Sequence, residues 1–106
     1  MAEARLIALY PYPSDVEQFE RDYQAHLRLL REKLQLPEGV KPYSVTRFVE
    51  IPVGKPAFYQ MFIMTFPSAE ALQEGLSNPA MVELAEDAVR VSSGGPPVIM
   101  AGVEVA

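Results

Sequence analysis

The chain has 106 residues, 49% hydrophobic and 22% charged, which is one globular domain (residues 1–106) long enough to bury a single core. Fourteen Asp and Glu against nine Lys and Arg leave a net charge of −5, which disfavours both nucleic-acid phosphate and an anionic membrane surface. With no cysteine there is no disulfide, thiolate nucleophile or Cys-ligated metal, and the composition is compatible with a cytoplasmic location.

The first element is Arg5–Tyr10, a short apolar strand closed by Pro11-Tyr12-Pro13. Its run from Leu6 to Tyr10 is too short for a signal-peptide core, and no 18 apolar residues run together to span a membrane. Ser14-Asp15-Val16-Glu17 has the pattern of a capping box, with Ser14 as the expected N-cap. Val16, Phe19, Tyr23, Leu27, Leu30 and Leu34 then recur at spacings of three and four, one stripe of a helix that runs to about Leu34 and that Pro37 and Gly39 stop.

Tyr43–Ile51 reads as the second strand and Ala57–Phe66 as the third, with the turn Pro52–Pro56 between them. Ser68 opens a short helix to Leu76. Asn78-Pro79 restarts it, Asn as N-cap and Pro at the first helical position, and the piece runs to about Val91. Ser92–Pro97 is a loop and Val98–Val105 the last strand. The order β-α-β-β-α-β is the ferredoxin-like α+β arrangement: a four-stranded antiparallel sheet with helices on one face.

The face away from the helices should alternate into polar residues, and it does not. Ala57, Tyr59, Met61 and Ile63 are expected on one side of the third strand, with Phe58, Phe62, Met64 and Phe66 on the other; likewise Ile7 and Leu9 oppose Leu6, Ala8 and Tyr10, and Val98 and Met100 oppose Ile99, Ala101 and Val103, so both faces are apolar. A second copy is the simplest cover, so the expected partner is an identical subunit packed sheet on sheet.

The residues also resemble the EthD-like family of the dimeric α/β-barrel superfamily. The likeness rests on LIALYPYP, then Tyr23-Gln24-Ala25-His26-Leu27, the strand ending in Phe66 before PSAEAL, SNPAM, Asp87, and Gly94-Gly95 before the final strand. It implies two subunits packing their sheets into a barrel, with a ligand cleft between the helices and sheet of each subunit.

His26 is the sole histidine, and so the one side chain whose unperturbed pKa lies near neutrality. The helical wheel puts it about 60° off the apolar stripe, at the edge of the helix–sheet cleft. It is the candidate acid/base. Tyr10, Tyr23, Tyr43 and Tyr59 lie on elements bordering that cleft and suit a hydrophobic or aromatic small molecule. Asp87 falls outside the stripe of its helix, where it either orients His26 or caps and solvates the helix. One His and no Cys leave no metal pattern, and no cofactor loop is present. The reading is a homodimer binding a hydrophobic or aromatic molecule, with cofactor-independent acid/base or oxidative chemistry at His26. The alternative is a non-catalytic ligand-binding or accessory protein.

Overall fold

A computed structural model describes residues 2–106. In chain order the elements are β1 (Ala4–Tyr10), α1 (Val16–Lys33), β2 (Tyr43–Arg47), β3 (Gln60–Phe66), α2 (Ala69–Leu76), α3 (Pro79–Val91) and β4 (Val98–Val103). The strands form one antiparallel sheet in the order β2-β3-β1-β4, which is the ferredoxin-like α+β topology. The break between α2 and α3 falls at Ser77-Asn78, where Asn78 caps α3 by accepting from the Ala80 amide at 2.9 Å. Among the described residues no helix is long and apolar enough to cross a membrane.

Register decides which residues meet. Ala8 pairs with Phe62 and Ile99, and Ile7 pairs with Ile63 and Met100. Successive side chains alternate faces, so Ala4, Ala8, Tyr10, Phe62 and Met64 form the row buried beneath the helices. Phe19, Tyr23 and Leu30 of α1 and Leu84, Ala88 and Val91 of α3 close that core from above. The opposite row, with Ile7, Leu9, Met61, Ile63, Val98 and Met100, lies on the face that carries no helix. Val98 and Met100 are 43% and 44% exposed there.

Several local expectations change. The N-cap of α1 is Asp15, not Ser14: its carboxylate accepts from the Gln18 amide at 3.1 Å. Ser14 is otherwise engaged, its amide donating to Ser93 Oγ at 3.2 Å in the α3–β4 loop. α1 ends where its stripe ends, at Lys33 with Leu34 as C-cap, but the turn that closes it is made by Gln35, ahead of Pro37 and Gly39. Gln35 stands at φ 52, while its amide and that of Leu36 reach back to the Glu32 and Arg31 carbonyls. This is a Schellman cap with glutamine where glycine is usual.

The second strand stops at Arg47, and the third starts at Gln60. Between them Phe48 N still donates to Tyr59 O, and Ile51 and Gly54 form an isolated bridge, but Pro52 and Pro56 have no amide to extend the ladder. Tyr59 therefore precedes the alternation of β3 and turns toward α1, not to the side of Met61; its ring meets Phe19 edge-on at 5.8 Å. Val98–Val105 shortens likewise, β4 ending at Val103.

Gly94 fixes the loop before β4. A Cβ there would lie 1.8 Å from the Tyr12 carbonyl oxygen, so only glycine lets the α3–β4 loop lie against the β1–α1 loop.

Left-handed backbone costs a non-glycine residue roughly 1–2 kcal/mol, part of which glycine returns through unfolded-state entropy. Gln35→Gly is accordingly expected to stabilise the protein by about 0.5–1 kcal/mol in urea titration. A loss of stability would contradict the Schellman cap.

Candidate functional site

His26 belongs to the row Phe19, Tyr23, His26 and Leu30 that α1 buries. It lies deeper than the helical wheel indicates, only 4% exposed, because α3 packs beside α1 and closes over the edge of the stripe. Asp87 on α3 meets it there: His26 Nδ1 donates to Asp87 Oδ2 at 2.8 Å. A carboxylate acceptor at that nitrogen assigns the neutral ring's proton to Nδ1 and leaves the lone pair on Nε2.

Asp87 is itself held. Arg90, one turn along α3, places Nε and Nη2 each 2.8 Å from Asp87 Oδ1. Burial by itself would push the Asp87 carboxyl up; the hydrogen bonds from His26 and Arg90, with the Arg90 charge, outweigh it and hold the group below the usual carboxylate range. Of the two roles open to Asp87, the structure shows the contact with His26.

The His26 ring borders a small apolar cavity of about 100 Å³ between the helices and the sheet. Leu30, Phe62, Leu84 and Ile99 supply much of its wall, and His26 and Tyr10 are its two polar side chains. Tyr10 is 1% exposed, and burial pushes its phenol up to about 12, so it is a neutral hydroxyl at physiological pH. Ile99 sits on the edge strand and is 46% exposed, which makes the β4 side the thinnest part of the wall.

The other three tyrosines are dispersed. Tyr23 stands beside both polar residues, its ring 5.2 Å from that of Tyr10 and 5.4 Å from that of His26. Burial first, and then the Tyr10 hydroxyl beside it, raise its pKa strongly. Tyr43 stacks on Phe62 at 5.7 Å and borders no part of the His26 cavity. Tyr59 donates to Glu20 Oε2 at 2.6 Å beneath the Arg47 guanidinium, away from His26. Among the described residues no three His, Asp or Glu side chains gather as a metal site.

Two participants escape a sequence reading centred on His and Tyr. Arg90 has a faint signal, an Asp-x-x-Arg spacing that places both groups on one helix face. Gln60 has a clearer one: it is the polar interruption of the run AFYQMFIMTF, and it is 2% exposed beneath the helices. It borders a larger groove of about 530 Å³ on another face of α1, with Glu20, Leu27, Val45 and Arg47.

No protein-family model and no curated protein matches the chain. Solved structures do. A Bacillus halodurans protein of the ethyl tert-butyl ether D (EthD) family is 30% identical with a TM-score of 0.79, over 99% of this chain and 100% of that one. A dimeric ferredoxin-like protein from Jannaschia has a TM-score of 0.68 at 14% identity, over 99% of this chain and 100% of that one. The hydroxynitrile lyase of Passiflora edulis has a TM-score of 0.70 at 14% identity, over 97% of this chain and 94% of that one. At 14% identity the last two show the fold alone.

The lowered Asp87 pKa fixes the sign of a pH effect. A carboxyl with a depressed folded pKa adds stability above its unfolded value, about 3.9, and loses it as pH falls through the folded pKa. Arg90→Ala is expected to cost no more than about 1 kcal/mol at pH 7, since Arg90 is largely exposed, with the difference from wild type closing at a pH low enough to protonate the Asp87 carboxyl. Denaturant titrations at both pH values check this; an undiminished difference in acid would mean that Arg90 acts through packing.

Proposed function

The chain belongs to the EthD family, and on that premise we propose that it is a cytoplasmic homodimer which holds a small hydrophobic or aromatic molecule against His26 for cofactor-independent acid–base chemistry. The observation that carries this reading is the ordered set His26–Asp87–Arg90 opening onto an apolar cavity. A buried histidine that needed only one structural partner would be satisfied by Asp87 alone. Here Asp87 is anchored a second time, and His26 is one of the two polar side chains that line the cavity.

In the proposed mechanism, neutral His26 accepts a proton at Nε2 from an enolisable or phenolic compound in the cavity. The imidazolium that forms is stabilised by Asp87, whose own charge Arg90 maintains. Tyr10, neutral and sharing the cavity wall, donates to the oxygen on which negative charge develops. The proton returns from Nε2 to a different atom of the enolate, or to the same one, and the histidine is regenerated.

A non-catalytic carrier is the second reading, since a cavity can hold a ligand without turning it over. The cavity of about 100 Å³ is below the roughly 300–1,000 Å³ of most ligand sites, so the resting protein admits only a small molecule. Solvent-deuterium exchange at the α-carbon of ketones, from acetone to acetophenone, separates the two. Wild type is expected to accelerate exchange, and His26→Asn, which keeps an N–H for Asp87 but has no base at Nε2, should lose about a hundredfold or more. Equal rates with an intact circular-dichroism spectrum would leave the carrier.

The dimer rests on the uncovered row of Ile7, Leu9, Met61, Ile63, Val98 and Met100, too apolar a surface to leave in water. Met100→Glu sits on this face at a half-exposed position and is expected to give a folded monomer by sedimentation, where wild type is a dimer. A monomeric wild type would overturn this part.

A further inference from the structure

Two apolar surfaces remain open at opposite edges of the sheet, and one of them borders the His26 cavity. The first is β4. All six of its residues are exposed: Val98 and Met100 on the outer face, and Ile99 and Val103, at 46% and 52%, on the face that the helices cover elsewhere. It is an edge strand with unpaired backbone groups, and its sequence VIMAGV holds no charge or proline to shield that edge. The other edge strand, β2, follows Lys41-Pro42 and ends in Arg47. So β4 is the strand that needs a cover, and Ile99 is the point where its bare side meets the cavity.

The second surface is the arm between β2 and β3. Ile51 and Gly54 bridge at its tip, and Val49, Ile51 and Val53 are 73%, 54% and 89% exposed. Tyr12 braces its base, donating to the Pro56 carbonyl at 3.3 Å. The arm and Thr46 wall a concavity of about 450 Å³. Thr46 pairs with Met61, Met61 with Leu9 and Leu9 with Val98, so these four form one row across the outer face. The concavity therefore continues the apolar face that pairs in the dimer, and the arm leaves the sheet at the end where β4 begins.

Symmetry matches the two surfaces. A two-fold axis between facing sheets can run along the strands or across them. Along the strands, it sets β2 of one subunit against β4 of the other and keeps the Thr46–Val98 ends together. Across them, it sets like edge on like edge and carries the arm to the far end of the partner's sheet. Only the first lets the arm and β4 cover one another, once at each side of the dimer. Five residues, Phe48 to Pro52, lead from β2 to the tip of the arm. At about 3.3 Å each they span roughly 16 Å, more than the ~10 Å between packed sheets.

We propose that each arm folds over the Val98–Ile99 end of the other subunit's β4, so that Val53 of the partner subunit closes the Ile99 side of the His26 cavity and the cavity is complete only in the dimer. This rests on the homodimer proposed above and not on the chemistry at His26.

The chain has no cysteine, so the test is a directed cross-link. Oxidised Val53→Cys/Ile99→Cys is expected to run as a covalent dimer that dithiothreitol returns to single chains, while neither single variant cross-links, because like positions lie at opposite edges. A second measurement reads the cavity wall by NMR with the nitroxide 4-hydroxy-TEMPO. The Ile99 methyls of wild type should be protected, and Ile51→Asp/Val53→Asp should broaden them severalfold more while sedimenting as a dimer. A monomeric wild type would overturn both this proposal and the dimer. A wild-type dimer without the 53–99 cross-link, a bond formed within one chain, or equal broadening in wild type and the aspartate variant would overturn this proposal alone.

Discussion

A sheet with two apolar faces and helices enough for one is the constraint from which the rest follows. Tyr10, Phe62 and Met64 are beneath the helices, while Ile7, Ile63 and Met100 are the direct cross-strand partners that remain outside. Burying such a row is favourable by roughly 25 cal/mol per Å², and no segment of the chain is spare to do it. The helices are thereby committed to one side, and everything with chemical potential in this chain lies between them and the sheet.

That layer is less oily than a minimal core. His26, Asp87, Tyr10, Tyr23 and Gln60 bring polar atoms into it, and each is treated differently. The histidine and aspartate satisfy one another, with Arg90 behind them. Tyr10 borders the cavity with Tyr23 beside it, and the Gln60 Nε2 group keeps no partner. Interiors tolerate an unpartnered group at a cost in stability, which separates this layer from simple packing.

Much of the fold is legible in the sequence because it rests on periodicity and on strong punctuation. The α1 stripe, the Asn78-Pro79 restart and the apolar third strand have signals that tertiary context did not override. The errors fall where local chemistry offers two near-equal solutions. Ser14 and Asp15 are both good caps; Asp15 takes the role, while the Ser14 amide bonds Ser93, 79 residues away in sequence. Gln35 ends a helix in a conformation that side-chain identity does not announce. Tyr59 lies one residue outside the strand whose alternation would have placed it. The site was legible to the extent that His26 is unique; its depth, the contact with Asp87 and the place of Gln60 depend on how α3 meets α1 and how β2 meets β3. Those are long-range facts that no single segment contains.

The bond between His26 and Asp87 joins residues 61 positions apart, on helices that bracket two strands of the sheet between them in the sequence. Neither helix by itself, nor the helix pair without the strands that seat it, can form the dyad. Its appearance during folding therefore marks docking of the last helix on the first, a late event of high sequence separation. The exchange rate of the Nδ1 proton becomes a clock for that docking: slow while α3 stays seated, fast when it lifts, whatever the rest of the sheet is doing.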